Sequence, residues 1–112
     1  MQPLLCEKTL HQLADDIGPD LLPELFNVFV EENTPLLESL KSDCDHWDLP
    51  QLQSLSHTLK SSAASYGGLR LAELATQLDL ACKLSDKVTI QTLLPEFIDV
   101  YTQTLEVIKQ RY

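Results

Sequence analysis

The sequence predicts an all-α protein: an antiparallel up-down four-helix bundle with an additional short N-terminal helix. Three observations carry this expectation. Apolar residues recur at helical spacing along most of the 112 residues. Only three glycines occur, and no strand-like alternation of comparable length competes with the helical pattern. The breaks between the apolar runs are short, and short connections between long helices make neighbours antiparallel.

The first helix is expected from about Glu7 to Asp16, with Leu10, Leu13 and Ile17 along one side. Gly18-Pro19 breaks it, and Pro19 suits the first turn of a second helix. That helix extends to about Cys44 on a stripe of Leu22, Leu25, Phe26, Phe29, Val30, Leu36, Leu37 and Leu40. Pro35 lies inside it and, lacking an N–H, is expected to kink or interrupt it. A loop from Asp43 ends at Asp48, a good N-cap, and Pro50 falls in the first turn of a third helix. This helix spans Leu49 to Tyr66, and Gly67-Gly68 stops it. The fourth runs from Leu69 to Leu84, with Leu71, Leu74, Leu78 and Ala81 inward. Ser85 or Asp86 caps the fifth, which runs from Lys87 to Lys109 on Val88, Leu93, Leu94, Phe97, Ile98, Tyr101, Leu105 and Ile108. No repeat, low-complexity tract or linker divides residues 1–112, which read as one free-standing domain.

Composition narrows the function. With 44% hydrophobic and 22% charged residues, the chain has the make-up of an ordinary globular protein. Met1 to Leu5 does not resemble a signal peptide, and no apolar run reaches membrane-spanning length, so a cytoplasmic location is expected. Cys6, Cys44 and Cys82 are an odd, scattered set, which fits reduced thiols better than a disulfide framework or a zinc site. The net charge of -9 argues against nucleic acid and anionic membrane as partners. Residues 1–56 carry -9, residues 57–87 carry +1 and residues 88–112 carry -1. An anion handled by this protein is therefore expected at the middle segment.

The third helix falls in that segment. Projected at 100° per residue with His57 at zero, Leu52, Leu55, Leu59 and Tyr66 lie within about 40° of the opposite side, the expected buried stripe. Ser61 and Ala64 flank His57, and Lys60 stands one turn on, at i+3. His57 is thus expected to face solvent with small neighbours. An exposed imidazole is largely neutral and nucleophilic at pH 7, and histidine can carry a transferred group covalently. Lys60 is in reach of a phosphate oxygen on that ring and could neutralise its charge during transfer. On spacing alone, a solvated surface histidine beside a solvated lysine remains open.

The run His57-Thr58-Leu59-Lys60-Ser61-Ser62-Ala63-Ala64-Ser65-Tyr66-Gly67 resembles the active-site helix of histidine phosphotransfer (Hpt) domains, whose pattern is His-x-Leu-Lys-Gly/Ser-Ser-x-x-x-x-Gly. It is most similar to single-domain members that serve bacterial quorum-sensing relays. Ile17-Gly18-Pro19-Asp20-Leu21-Leu22 and Phe29-Val30-Glu31-Glu32 also resemble the family. The resemblance implies that His57 accepts a phosphoryl group from a receiver-domain aspartate and passes it to another receiver. Lys60 matches the phosphate-orienting lysine, and Ser61 stands where many members have glycine. Asp79 matches a position at which several members place a glutamine that hydrogen-bonds the imidazole, and would orient the ring for attack through its other nitrogen. Lys83 matches a supplementary basic position. The family's receiver-docking surface would include Ala64 and, spaced by four, Leu13, Ile17, Leu21 and Leu25, although Leu13 and Leu25 read rather as plain core.

His11 has Asp15 one turn on, which reads as a surface pair, and Trp47, beside His46, reads as a lid on one end of the core. No glycine-rich phosphate loop and no convergent metal ligands occur, so no cofactor is expected and any Mg²⁺ should belong to the partner. The reading is a monomeric phosphoryl carrier without kinase activity of its own. Its rival is a helical adaptor that docks partners without being phosphorylated.

Overall fold

The computed structural model describes residues 3–42 and 47–112. Its helices are α1 (Glu7–Ile17), α2 (Leu22–Ser42), α3 (Leu49–Ser65), α4 (Leu69–Lys83) and α5 (Lys87–Arg111). The last four form the antiparallel bundle. Phe26 stacks on Tyr112 while Asn33 meets Tyr101, so α2 and α5 run in opposite directions. His57 and Lys60 face Asp79 while Ala63 meets Gly68, which sets α3 against α4 in the same way. The principal extents of 42 × 23 × 23 Å match the length of one long helix and the width of a bundle.

The core is one cluster in which every bundle helix takes part, through Phe26, Phe29 and Leu37, Leu52 and Leu59, Leu71 and Leu78, and Ile90, Phe97 and Ile108. One polar pair sits inside it. The Tyr101 hydroxyl donates to Asn33 Oδ1, and Asn33 Nδ2 donates to the Phe29 carbonyl at 2.8 Å. Burial pushes the Tyr101 phenol up, so it stays a donor at any ordinary pH.

The turns explain where the helices stop. Gly18 adopts φ 92° and ψ 138°, a conformation open to glycine, and Pro19-Asp20-Leu21 form a turn closed by the Leu21 N–H on the Gly18 carbonyl. The second helix therefore begins at Leu22, three residues later than Pro19 suggested. Pro35 does not interrupt α2: it and Glu31 are exposed, so the carbonyl it leaves without a helical donor lies on the wet face. Gly67, at φ 88°, ends the α3 turn and accepts the Cys6 N–H at 2.8 Å, which ties the start of α1 to the end of α3. Arg111 clasps Glu7 with both guanidinium nitrogens, fixing α1 to α5 as well. Asp86, and not Ser85, caps α5, accepting the Thr89 N–H at 3.2 Å. Asp48 takes the N-cap position of α3 without a side-chain hydrogen bond. Cys44 and His46 lie outside the described residues, and Trp47 packs half-buried against the core.

Candidate functional site

The buried face of α3 determines what His57 can reach. It consists of Leu52, Ser56, Leu59 and Ala63, not the stripe through Leu55 and Tyr66 that hydrophobicity suggested. In the same projection the centre of this face lies about 130° from His57 and is turned toward Lys60. The cause is small residues. Ser56 and Ala63 on α3, with Ala72 and Ala75 on α4, are buried and let the two helices approach closely. Ser56 satisfies its hydroxyl within its own helix, donating to the Leu52 carbonyl at 2.9 Å. Tyr66, just past the helix, turns its ring to Phe26 and Phe29 at centroid distances of 5.5 and 4.7 Å. Leu55 is half-buried on the wall of an open cleft between α2 and α3.

This rotation brings α3 and α4 chemistry together. The His57 side chain is 61% exposed, with Nδ1 3.5 Å from Oδ2 of Asp79, whose side chain is 3% exposed. Lys60 Nζ and Lys83 Nζ each lie 3.0 Å from the same oxygen. The His57 contact is longer than a formed hydrogen bond, whereas both lysine contacts have ion-pair geometry. Asp79 Oδ1 is buried and has no hydrogen-bond partner among the described residues. Burial alone would push the Asp79 carboxyl up, but Lys60, Lys83 and the His57 ring together outweigh it and hold the group below the ordinary aspartate range. The site is thus an exposed imidazole over a buried, ionised carboxylate, flanked by two ammonium groups.

Every residue expected at the phosphoryl end meets there except Ser61, which is exposed on the His57 face and whose carbonyl accepts the Ser65 hydroxyl at 3.0 Å. Ala64 is half-buried on the same helix. Leu13 and Ile17 are half-buried against the core, and Leu21 is 52% exposed in the turn before α2. No hydrogen bond or ion pair among the described residues joins those three to His57. What sequence reasoning missed is that Lys60, Lys83 and His57 converge on one oxygen. The signal was the small-residue stripe Ser56-Ala63, which no hydrophobic count weighs. Among the described residues no three His, Cys, Asp or Glu side chains converge as metal ligands, and the one carboxylate at the site is engaged by lysines.

The Hpt domain family profile matches residues 24–111, which include all four of these side chains. The chain belongs to the Hpt domain family. It is 33% identical over 104 residues to phosphorelay protein LuxU of Vibrio cholerae serotype O1, covering 93% of this chain and 92% of that one. It is 35% identical over 102 residues to phosphorelay protein LuxU of Vibrio vulnificus (strain YJ016), covering 90% and 88%. The crystal structure of histidine-containing phosphotransfer protein B from Pseudomonas aeruginosa PAO1 superposes with a TM-score of 0.82 at 22% identity, over 100% of this chain and 99% of that one. That likeness shows the Hpt fold. No described helix is long and apolar enough to cross a membrane.

Proposed function

We propose that this protein is a phosphorelay carrier: His57 takes a phosphoryl group from a receiver-domain aspartate and passes it to a second receiver. The observation that carries the reading is the exposed His57 ring set beside two lysines on a buried carboxylate, in a chain of the Hpt family. An imidazole 61% exposed can enter a partner's active site, which a core histidine could not. Lys60 and Lys83 supply positive charge where a transferred phosphoryl group would carry negative charge. Nδ1 is the ring nitrogen turned toward Asp79, at 3.5 Å, which leaves Nε2 as the nucleophile. Ser61 and Ala64 leave room for the partner's loops. Leu13, Ile17 and Leu21 are the apolar docking contacts we assign to it.

On this reading the partner contributes the aspartate, the metal ion and most of the catalytic groups. The protein is one domain over residues 1–112, acts as a cytoplasmic monomer, and has no kinase activity of its own. The similarity to LuxU proteins favours a quorum-sensing relay as its setting.

The test is to mix the purified protein with phosphorylated receiver domains and look for label on it. The expected label is acid-labile and base-stable, as phosphohistidine is. ATP and Mg²⁺ alone should give none. Acid-stable label, or stoichiometric self-labelling from ATP, would contradict the proposal.

A further inference from the structure

The small residues of α3 draw it onto α4, while α2 packs on α5 through Phe26 and Asn33. The space between α2 and α3 stays open as a cleft of about 810 Å³, within the range of small-ligand sites. Leu55, Ser62 and Tyr66 line it and lie about 140–180° around the helix from His57, so the cleft opens away from the phosphoryl end. Phe29, Tyr66 and Trp47, the chain's one tryptophan, bring aromatic rings to it. The Phe29 and Tyr66 rings meet at 4.7 Å with their planes tilted by 54°, which forms an aromatic corner. Leu36, 48% exposed, and Leu55, half-buried, leave apolar surface wet at the mouth. The charged side chains lining the cleft are Glu32 and Asp48, both exposed, and among the described residues no lysine or arginine lines it. Asp48 makes no cap bond with its carboxylate. On the floor, Asn33 Nδ2 donates one hydrogen to the Phe29 carbonyl and Oδ1 accepts the Tyr101 hydroxyl. The second Nδ2 hydrogen has no acceptor among the described residues.

We propose that the α2–α3 cleft is a binding site for a flat organic cation that carries a hydrogen-bond acceptor. Its rings enter between the helices against Phe29, Leu55 and Tyr66, and its charge lies toward Glu32 and Asp48. Aromatic faces attract an organic cation through the ring quadrupole, and this cation sheds its weak hydration at little cost. The two carboxylates add attraction at longer range and would repel an anion of the same shape. The spare Asn33 N–H meets an acceptor atom of the ligand, which satisfies a donor that is otherwise left over in a buried residue. The site is separate from the carrier reading and stands or falls without it.

The probe is berberine, a planar quaternary cation with ether oxygens, and its neutral lactam oxyberberine is the control on the same skeleton. The full chain, 15N-labelled, is titrated with each while Trp47 fluorescence and amide shifts are followed. Berberine should bind one to one, quench Trp47, and shift the amides of Leu36, Leu55 and Ser62 and the side-chain amide of Asn33. Oxyberberine should bind about five- to tenfold more weakly. Glu32→Gln combined with Asp48→Asn should weaken berberine by a similar factor and leave oxyberberine unchanged. Asp15→Asn combined with Glu106→Gln removes two exposed acids elsewhere on the surface and should leave berberine affinity within about twofold. All four positions are exposed, so both double variants should fold. Equal binding of the two probes, equal losses in the two double variants, or shifts spread along α1 would show diffuse attraction to an acidic protein and overturn the proposal. Broadening of the Leu36, Trp47 and Leu55 signals without probe, by concentration-dependent dimerisation or by an added receiver domain, would assign the cleft to a protein and overturn it as well.

Discussion

Burial would raise the Asp79 carboxyl, and three nitrogen-bearing neighbours reverse that effect. The folded state therefore holds this proton more weakly than the unfolded state. The stability this gives is full above the ordinary aspartate range and is lost as pH falls through the lowered folded value. Chemical denaturation of wild type and Asp79→Asn should show a stability gap near neutrality that closes as pH falls below about 4. A gap that widened with acid would show the carboxyl to be raised instead. Lys60 is expected to matter for rate more than for stability. Its ammonium is one of two holding Asp79, and Lys83 remains when it is gone. Lys60→Ala should cost about 1 kcal/mol of stability, more than a free surface lysine would. Single-turnover transfer should slow by about one to two powers of ten, the loss of one charge-assisted contact to a phosphoryl group. Wild-type rates in this variant would remove Lys60 from the site. His57 and Lys60 were legible from their spacing and motif. That Lys60 rests on Asp79 was not, because the contact joins two helices whose relative rotation no single-helix pattern specifies.

The helices themselves were legible in sequence because long apolar periodicities and Gly, Pro and Asp punctuation agreed. The differences lie where polar or small residues enter the core. Asn33 is buried and Leu36, 48% exposed, is not. Thr104 is buried, whereas Val88 is 75% exposed beyond the end of the core. Asn33 lies inside because the Tyr101 hydroxyl and the Phe29 carbonyl satisfy its amide, a match that hydrophobicity cannot foresee. Tyr101→Phe leaves Asn33 Oδ1 buried without its donor and should cost about 1–3 kcal/mol in chemical denaturation, loosening α2 from α5. A neutral result would mean that water replaces the hydroxyl. Gly67 supports α1 in a similar way. At φ 88°, with a Cβ position 3.4 Å from the Cys6 carbonyl oxygen, Gly67→Ala should cost about 1–2 kcal/mol. Its hydrogen exchange should rise first in α1.

At the scale of the whole molecule, charge and shape divide the labour. The acidic first half supplies α1, α2 and the start of α3, and the middle segment, at +1, supplies the rest of α3 and α4, where the lysines gather. That division was visible in the sequence, and so was the family, through the run from His57 to Gly67. The cleft between α2 and α3 was not, since it follows from α3 turning its small residues to α4. On the proposed reading, the bundle holds one exposed nucleophile and the partners bring the rest. The central claim is that His57 is that nucleophile. The most direct measurement is transfer of labelled phosphoryl from a phosphorylated receiver to wild type and to His57→Ala, with circular dichroism and melting followed in parallel. The account predicts that wild type takes up acid-labile label, while His57→Ala takes up none and keeps wild-type helicity and nearly the same melting temperature, because the ring is 61% exposed. Full labelling of a folded His57→Ala protein would contradict it.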